Sequence, residues 1–330
     1  MCMTSRHAET LSHLPVIDLG GLRSDDRSEI TIGRGLDDAF RRIGFCYIAN
    51  TGVDPTLVAG VFDASRRFHA LPMQEKRAIA MNAFYRGYMA PKSSLIETSS
   101  VARVTQPNDS ESFMLMHDVR PDDARYGTPL NGPNLWPAEL TDFREPVQAY
   151  DCAMYDFCHR LLRPLARALG LPRGTFDQFF HRPTTFLRLL HYPPQAANAP
   201  DEAFGSAPHT DYGFITILAQ DEVGGLEVQT IDGNWISAPP IPDTFVVNVA
   251  DMLARWTNDR WRSTPHRVKN RSGVDRYSCP YFFDMDLECI VSCLDSCHDP
   301  EHPPRYDAVR YGDYLIERLD RNYNYRKQAG

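Results

Sequence analysis

Residues 207–229 read APHTDYGFITILAQDEVGGLEVQ. Phe214–Ala219 is a short apolar run and Gly225–Thr230 is a second, with EVGG (222–225) between them as hairpin chemistry. The same punctuation extends both ways. Residues 185–192, 235–238, 244–249, 266–269 and 277–283 are further runs of strand length, and Asp232-Gly233-Asn234 is another hairpin link. Many short strands at this spacing predict an antiparallel sandwich or double-sheet barrel. Upstream the apolar period lengthens. Ile32, Leu36, Ala39, Phe40 and Ile43 predict a helix over 28–43, stopped by Gly44 and followed by a buried strand, FCYIA (45–49). LPVIDL (14–19) reads as a short strand, Asp54-Pro55 opens a second helix, and residues 74–80 form a short charged one. Residues 141–170 make the longest helical stretch, with Pro146 and Pro164 expected to kink or divide it. Residues 83–136 are polar and irregular, and 311–322 is a closing helix.

The chain has 330 residues, 42% of them apolar and 11% aromatic, enough for a sizeable core and incompatible with a disordered chain. A net charge of −8 argues against a nucleic-acid partner. No apolar run approaches the roughly 18 residues of a membrane span. The start, residues 1–13, lacks the apolar stretch of a secretory leader, so a cytoplasmic protein with no membrane partner is expected. Among eight cysteines, Cys289, Cys293 and Cys297 are evenly spaced ahead of His298, but zinc sites use a different knuckle, and free thiols are the expectation.

Chemistry concentrates in the β-rich half. On an extended segment, residues two apart face one side, so His209 and Asp211 can reach one metal. His266 starts another strand after Ser263-Thr-Pro265, and a barrel brings such strand ends together. Two imidazoles and a carboxylate on one face of a metal leave open positions, the arrangement of non-haem Fe(II) oxygenases. Arg276 and Ser278 are again two apart, and a guanidinium beside a hydroxyl suits a carboxylate held next to that metal.

Residues 207–229, NVADMLARWTNDRWRSTPHRV (248–268) and DRYSCPYFF (275–283), with IGFCYIANTGV (43–53) and FLRLLHYPPQ (186–195) upstream, resemble the isopenicillin-N-synthase-like group of Fe(II)/2-oxoglutarate-dependent dioxygenases. The resemblance covers nearly the whole chain. It implies an α+β fold: a double-stranded β-helix (jelly-roll, cupin-like) core over 184–330, with an N-terminal helical and mixed region over 1–183 and flanking helices, acting as one catalytic unit. It places the iron ligands, and hence the catalytic centre, on His209, Asp211 and His266. The distal carboxylate of 2-oxoglutarate falls to Arg276 with Ser278 assisting, and Tyr192 and Arg188 are further co-substrate contacts. Leu190 stands where an asparagine is frequent in the plant members. His191 should face away and be structural, while Tyr212, Phe282 and Trp256 are either pocket or core. The implied cofactors are Fe(II), 2-oxoglutarate and O2, with ascorbate as a stimulant; the partner is a small-molecule substrate, and the enzyme a monomer or weak homo-oligomer.

Hydroxylation, desaturation or ring closure of a metabolite, with release of succinate and CO2, is the expected reaction. The alternatives are a 2-oxoglutarate-independent oxidase of the isopenicillin N synthase type, fragmentation of 2-oxoglutarate to ethylene, and a metal-binding protein without turnover. Residues 207–226 also resemble the branch of the bacterial ethylene-forming enzyme and plant homoarginine hydroxylases. Substrate contacts are expected from 286–305 and from 83–117, the latter acting as a lid and carrying Arg86, Lys92, Glu97, Arg103 and Glu111.

Overall fold

The computed structural model describes residues 12–22, 25–97, 99, 101, 104–196 and 198–323. The first half supplies β1 (Val16–Asp18), α1 (Asp26–Arg42), β2 (Phe45–Ala49), α2 (Pro55–His69), α3 (Met73–Ala78), β3 (Gly87–Met89), β4 (Glu111–Met116) and α4 (Arg144–Ala168). After it come β5 (Thr184–Tyr192), β6 (Ser206–His209), β7 (Ile215–Gln220), β8 (Leu226–Gln229), β9 (Trp235–Ser237) and β10 (Thr244–Val249). The chain then runs through α5 (Asp251–Trp256), β11 (His266–Val268), β12 (Arg276–Asp284), β13 (Ile290–Val291), β14 (Val309–Arg310) and α6 (Tyr311–Asn322).

Eight strands form one sheet in the order β1-β2-β10-β7-β12-β5-β4-β3, antiparallel throughout except for β1 on β2. A four-stranded sheet, β6-β11-β8-β9, faces it, giving the jelly-roll core. Alternation sorts the side chains into two cores. Cys46 and Ile48 of β2, Leu187 and Leu189 of β5, and Phe245 and Val247 of β10 join the core built with α1, α2 and α4. Phe45, Tyr47, Leu190, Tyr192 and Val246 turn the other way and meet Leu226, Val228 and Val268 of the small sheet.

Three expectations need correction. The EVGG link is no hairpin: β7 lies in the large sheet and β8 in the small one, so the chain crosses between layers there. Gly225 makes the crossing possible, with φ +98° and a position where a Cβ would stand 2.6 Å from the Lys269 carbonyl oxygen. Neither proline divides α4. Pro146 sits in the first turn, where its missing N–H has no intrahelical acceptor to lose, and the helix continues through Pro164.

The third correction concerns 83–136, which contains β3 and β4. Every residue of β4 is buried: β3 and β5 pair with its edges, and on the helix side Phe113 packs against Phe68, Trp136 and Phe143. Arg86 is buried too, its guanidinium donating to the carbonyls of Phe84, Leu130 and His117. Glu111 accepts from Lys76 (2.8 Å), from the His191 Nδ1 (2.8 Å) and from the Tyr88 hydroxyl. Burial works against the Glu111 charge, yet the bonds from His191, Lys76 and Tyr88 outweigh it and hold its pKa at about 2. Arg86 and Glu111 therefore hold the fold together and do not serve as lid residues. Arg103 lies outside the described residues.

Candidate active site

The site is built where the small sheet ends. His209, last residue of β6, is the direct cross-strand partner of His266, first residue of β11, and their ring centroids are 4.3 Å apart. Each Nδ1 faces a backbone carbonyl two residues back, Ala207 at 2.8 Å and Thr264 at 3.2 Å. A carbonyl only accepts, so the proton sits on Nδ1 and both Nε2 lone pairs turn inward. Asp211 Oδ1 is 3.7 Å from each Nε2. Its Oδ2 is engaged from behind by the Asn248 amide (2.8 Å) and the Thr216 hydroxyl. The Asp211 backbone is fixed as well, accepting from the Asp251 N–H at 2.9 Å.

Electrostatics match the geometry. Burial, with the neighbouring His266 ring, pushes the His209 pKa down and keeps its imidazole neutral. For Asp211 burial opposes ionisation, but His266, His209 and the bonds from Thr216 and Asn248 prevail and hold the carboxyl below its usual range. Two imidazoles with their Nε2 atoms turned inward and an ionised carboxylate, with ligand atoms within 4.8 Å of one another, can hold a divalent metal. Among the described residues no other group of histidine, cysteine, aspartate and glutamate does so.

Two chambers meet at this triad. The inner one, about 630 Å³, runs between the sheets and is lined at depth by Tyr192, Leu218, Arg276 and Ser278. Arg276 is fully buried, lies over the Tyr192 ring at 4.7 Å and spends one nitrogen on Gln220 (3.0 Å). Its Nε and other terminal nitrogen, and the Ser278 hydroxyl, are buried without a hydrogen-bond partner among the described residues. A buried guanidinium left so is costly unless an anion satisfies it. The donor set thus fits a small carboxylate reaching from the metal.

The outer chamber, about 700 Å³, shares Asn108, Arg188, Ser206, His209, Asp211 and Phe282 with the inner one. Beyond them its walls are Tyr85, Ser94, Ile96, Met114, Phe186, Tyr212 and the α6 side chains Leu315 and Leu319. Arg188 stands at the junction, its Nε donating to Ser112 Oγ at 2.9 Å. Trp256 is core, packed against Phe176, Phe179 and Phe214. His191 faces away, stacked on Tyr277 and bonded to Glu111 and Asp275.

A family model described as the 2OG-Fe(II) oxygenase superfamily matches residues 183–285, and one described as the non-haem dioxygenase in morphine synthesis N-terminal region matches 14–139. A 2-oxoglutarate-dependent dioxygenase of Monascus ruber is 35% identical over 94% of this chain and 96% of its own. The chain belongs to the 2OG-Fe(II) oxygenase superfamily. This oxygenase is also 31% identical to a homoarginine-6-hydroxylase of Oryza sativa, over 94% of this chain and 97% of that one. Neurospora crassa T7H in complex with alpha-KG and thymine has a TM-score of 0.82 and 29% identity, covering 93% of the oxygenase and 96% of that chain. The oxygenase is accordingly an oxidoreductase that uses Fe(II), 2-oxoglutarate and O2. No helix among its described residues is long and apolar enough to cross a membrane.

The sequence pattern brought forward the triad, Arg276 and Ser278, and the family resemblance added Tyr192 and Arg188. Both missed Thr216 and Asn248, which the alternation of β7 and β10 could have pointed inward, and the α6 wall, which no local pattern announces.

Proposed function

We propose that His209, Asp211 and His266 hold the iron of a 2-oxoglutarate-dependent hydroxylase, with 2-oxoglutarate in the inner chamber and a small-molecule substrate in the outer one. The observation that carries this reading is the buried, unpartnered pair of Arg276 nitrogens and the Ser278 hydroxyl, in a chamber that opens onto the triad. Arg276 takes the distal carboxylate of 2-oxoglutarate in a charge-assisted fork, Ser278 adds a hydrogen bond, and the Tyr192 ring supports the guanidinium from below. When bound, Fe(II) with 2-oxoglutarate and O2 supplies the oxidative decarboxylation to succinate and CO2 and the oxidising power for a C–H bond. The protein's share is to turn both Nε2 atoms inward through the Nδ1 contacts with Ala207 and Thr264, to aim Asp211 through Thr216 and Asn248, and to separate the two organic molecules.

Arg188 borders both chambers and is the one cation on the described walls of the outer one. Asp284, its carboxylate apart from Asp211, is already engaged by the Phe214 N–H (2.7 Å) and the Tyr311 hydroxyl (2.6 Å). These walls favour a compact, largely apolar or aromatic substrate that presents a carbonyl or carboxylate to Arg188, and disfavour a cationic side chain. T7H is described bound to thymine and to 5-formyluracil, which are compact planar molecules with carbonyl groups. The reading also makes the two sequence regions, 1–183 and 184–330, one catalytic unit: a cytoplasmic monomer or weak homo-oligomer with no nucleic-acid partner.

The test is succinate release from 2-oxoglutarate by the iron-loaded enzyme across a metabolite library that includes thymine and homoarginine. Stimulation by neutral or anionic compounds is expected. Substrate oxidation without succinate would give the reaction to the oxidase alternative, ethylene in the headspace would give it to the fragmentation alternative, and stimulation by cationic amino acids alone would overturn the substrate class.

A further inference from the structure

We infer that Asn322, the last residue of α6, is a positioning residue that fixes the rim of the outer chamber by tying residues 95–97 to Tyr212. The inference rests on reading that chamber as the substrate's. Asn322 is only 2% exposed although it ends a helix. Its backbone carbonyl accepts from the Leu95 N–H at 3.1 Å, its side-chain oxygen accepts from the Glu97 N–H at 2.9 Å, and its amide donates to the Tyr212 hydroxyl. One side chain thus uses both its donor and its acceptor on two segments more than a hundred positions apart in sequence, and each of those segments carries chamber-lining residues.

What it holds is the chamber itself. Tyr212 follows the proposed iron ligand Asp211 in the chain, and its ring lines the outer space. Ile96, another wall residue, sits between the two amides that bond Asn322. Next along the chain, Tyr323 forms an isolated antiparallel bridge with Ser94 and meets the Tyr85 ring edge-on at 5.2 Å. The same stretch is tied a second time, at Ser94. The Asn108 N–H donates to the Ser94 carbonyl (3.0 Å) and its side-chain oxygen accepts from the Ala207 N–H (2.8 Å), while Ala207 in turn orients His209. Residues 94–97 are therefore linked twice to the segment that carries His209 and Asp211, through Asn108 to Ala207 and through Asn322 to Tyr212. Asn322 is the anchor that comes from the far end of the described chain.

Alkylation of a cysteine placed inside the chamber tests this without a known substrate. Met114, on β4, lines the chamber and is 2% exposed. In a Met114→Cys background, the full-length protein is treated with iodoacetamide, with and without Fe(II) and 2-oxoglutarate, and labelling is followed peptide by peptide. Asn322→Leu, which keeps the bulk and removes both polar ends, should speed labelling at position 114 about tenfold, the effect of one net hydrogen bond on a local opening equilibrium. Cys279, on β12 and facing the helix-side core, should label at an unchanged rate. Equal rates at position 114 in both backgrounds overturn the inference. Parallel acceleration at Cys279 also overturns it, since general loosening is then the cause. Tyr212→Phe should speed labelling as well, and together with Asn322→Leu it should give less than the product of the two effects; independent, multiplying effects would break the proposed link. Because labelling needs no turnover, failure of the succinate assay would remove the oxygenase reading of the site and leave this result standing.

Discussion

Asp211 shows how a single carboxylate is prepared for one task. With Oδ2 occupied by Thr216 and Asn248, only Oδ1 is left to face the two Nε2 atoms. Replacing His266 by Ala should abolish Fe(II) retention and succinate formation together, measured by metal analysis and turnover. Near-normal iron content and activity in that variant would sink the ligand assignment. Asn248→Ala leaves all three ligands in place and removes one support, so Fe(II) affinity should fall about 10- to 100-fold, read by titration under argon. Arg276→Gln removes a charge-assisted contact and should raise the Michaelis constant for 2-oxoglutarate roughly ten- to hundredfold. Arg276→Lys should recover only part of this, because an ammonium lacks the planar fork. An unchanged constant in both variants would place the co-substrate carboxylate elsewhere. Two of these pairs were legible in the sequence because two-residue spacing on strands puts polar side chains on one face, 209 with 211 and 276 with 278, whereas Tyr192 and Arg188 came from the family resemblance. Thr216 and Asn248 obey the same spacing on β7 and β10, but a lone threonine or asparagine among apolar residues carries no chemical signature.

At the level of elements, apolar runs of strand length bounded by turn residues announced themselves, and β4, which opens on Glu111-Ser112 inside a polar stretch, did not. Its sequence, ESFMLM, is buried on both faces and lacks alternation, and the polar residues at its start serve buried contacts. The network behind it joins α2 and α3 to β3, β4, β5 and the residue preceding β12 through His69, Lys76, Tyr88, Glu111, His191 and Asp275. His69 donates from Nδ1 to the Ser65 carbonyl at 2.8 Å, and its buried Nε2 has no partner among the described residues. Burial pushes its pKa down to about 3, against the pull of Glu111. From about pH 6.5 downward the unfolded chain takes up a proton that the folded ring refuses, so stability falls on acidification over that window. Glu111, held at about 2, adds stability above its ordinary carboxylate range that is lost only in stronger acid. The raised His191 contributes the opposite sign, stabilising at low pH and fading as pH rises through its folded value. His69→Phe should therefore flatten the fall in unfolding free energy between about pH 6.5 and 5 by up to one proton, about 1.4 kcal/mol per pH unit. Urea midpoints across that range measure it. An unchanged slope would show that His69 is not the group that titrates.

At the scale of the molecule, the strand order decides what can stand alone. β1 and β2 border β10 on one side, and β4 and β3 border β5 on the other, so segments from the first half flank the sheet formed by the second. Phe45 of β2 also packs edge-on against the His266 ring at 5.3 Å, which puts a first-half residue against a proposed iron ligand. A fragment of residues 184–330 would expose two unpaired strand edges, on β10 and β5, together with the apolar face that α1, α2 and α4 cover in the whole chain. Both features favour aggregation over folding. The fragment should be insoluble or lack a cooperative thermal transition, and the full chain should unfold in a single one, followed by calorimetry and near-ultraviolet circular dichroism. A soluble fragment that unfolds cooperatively and retains Fe(II) would overturn the single-unit reading, because the sheet would then tolerate open edges and the triad would need no support from Phe45.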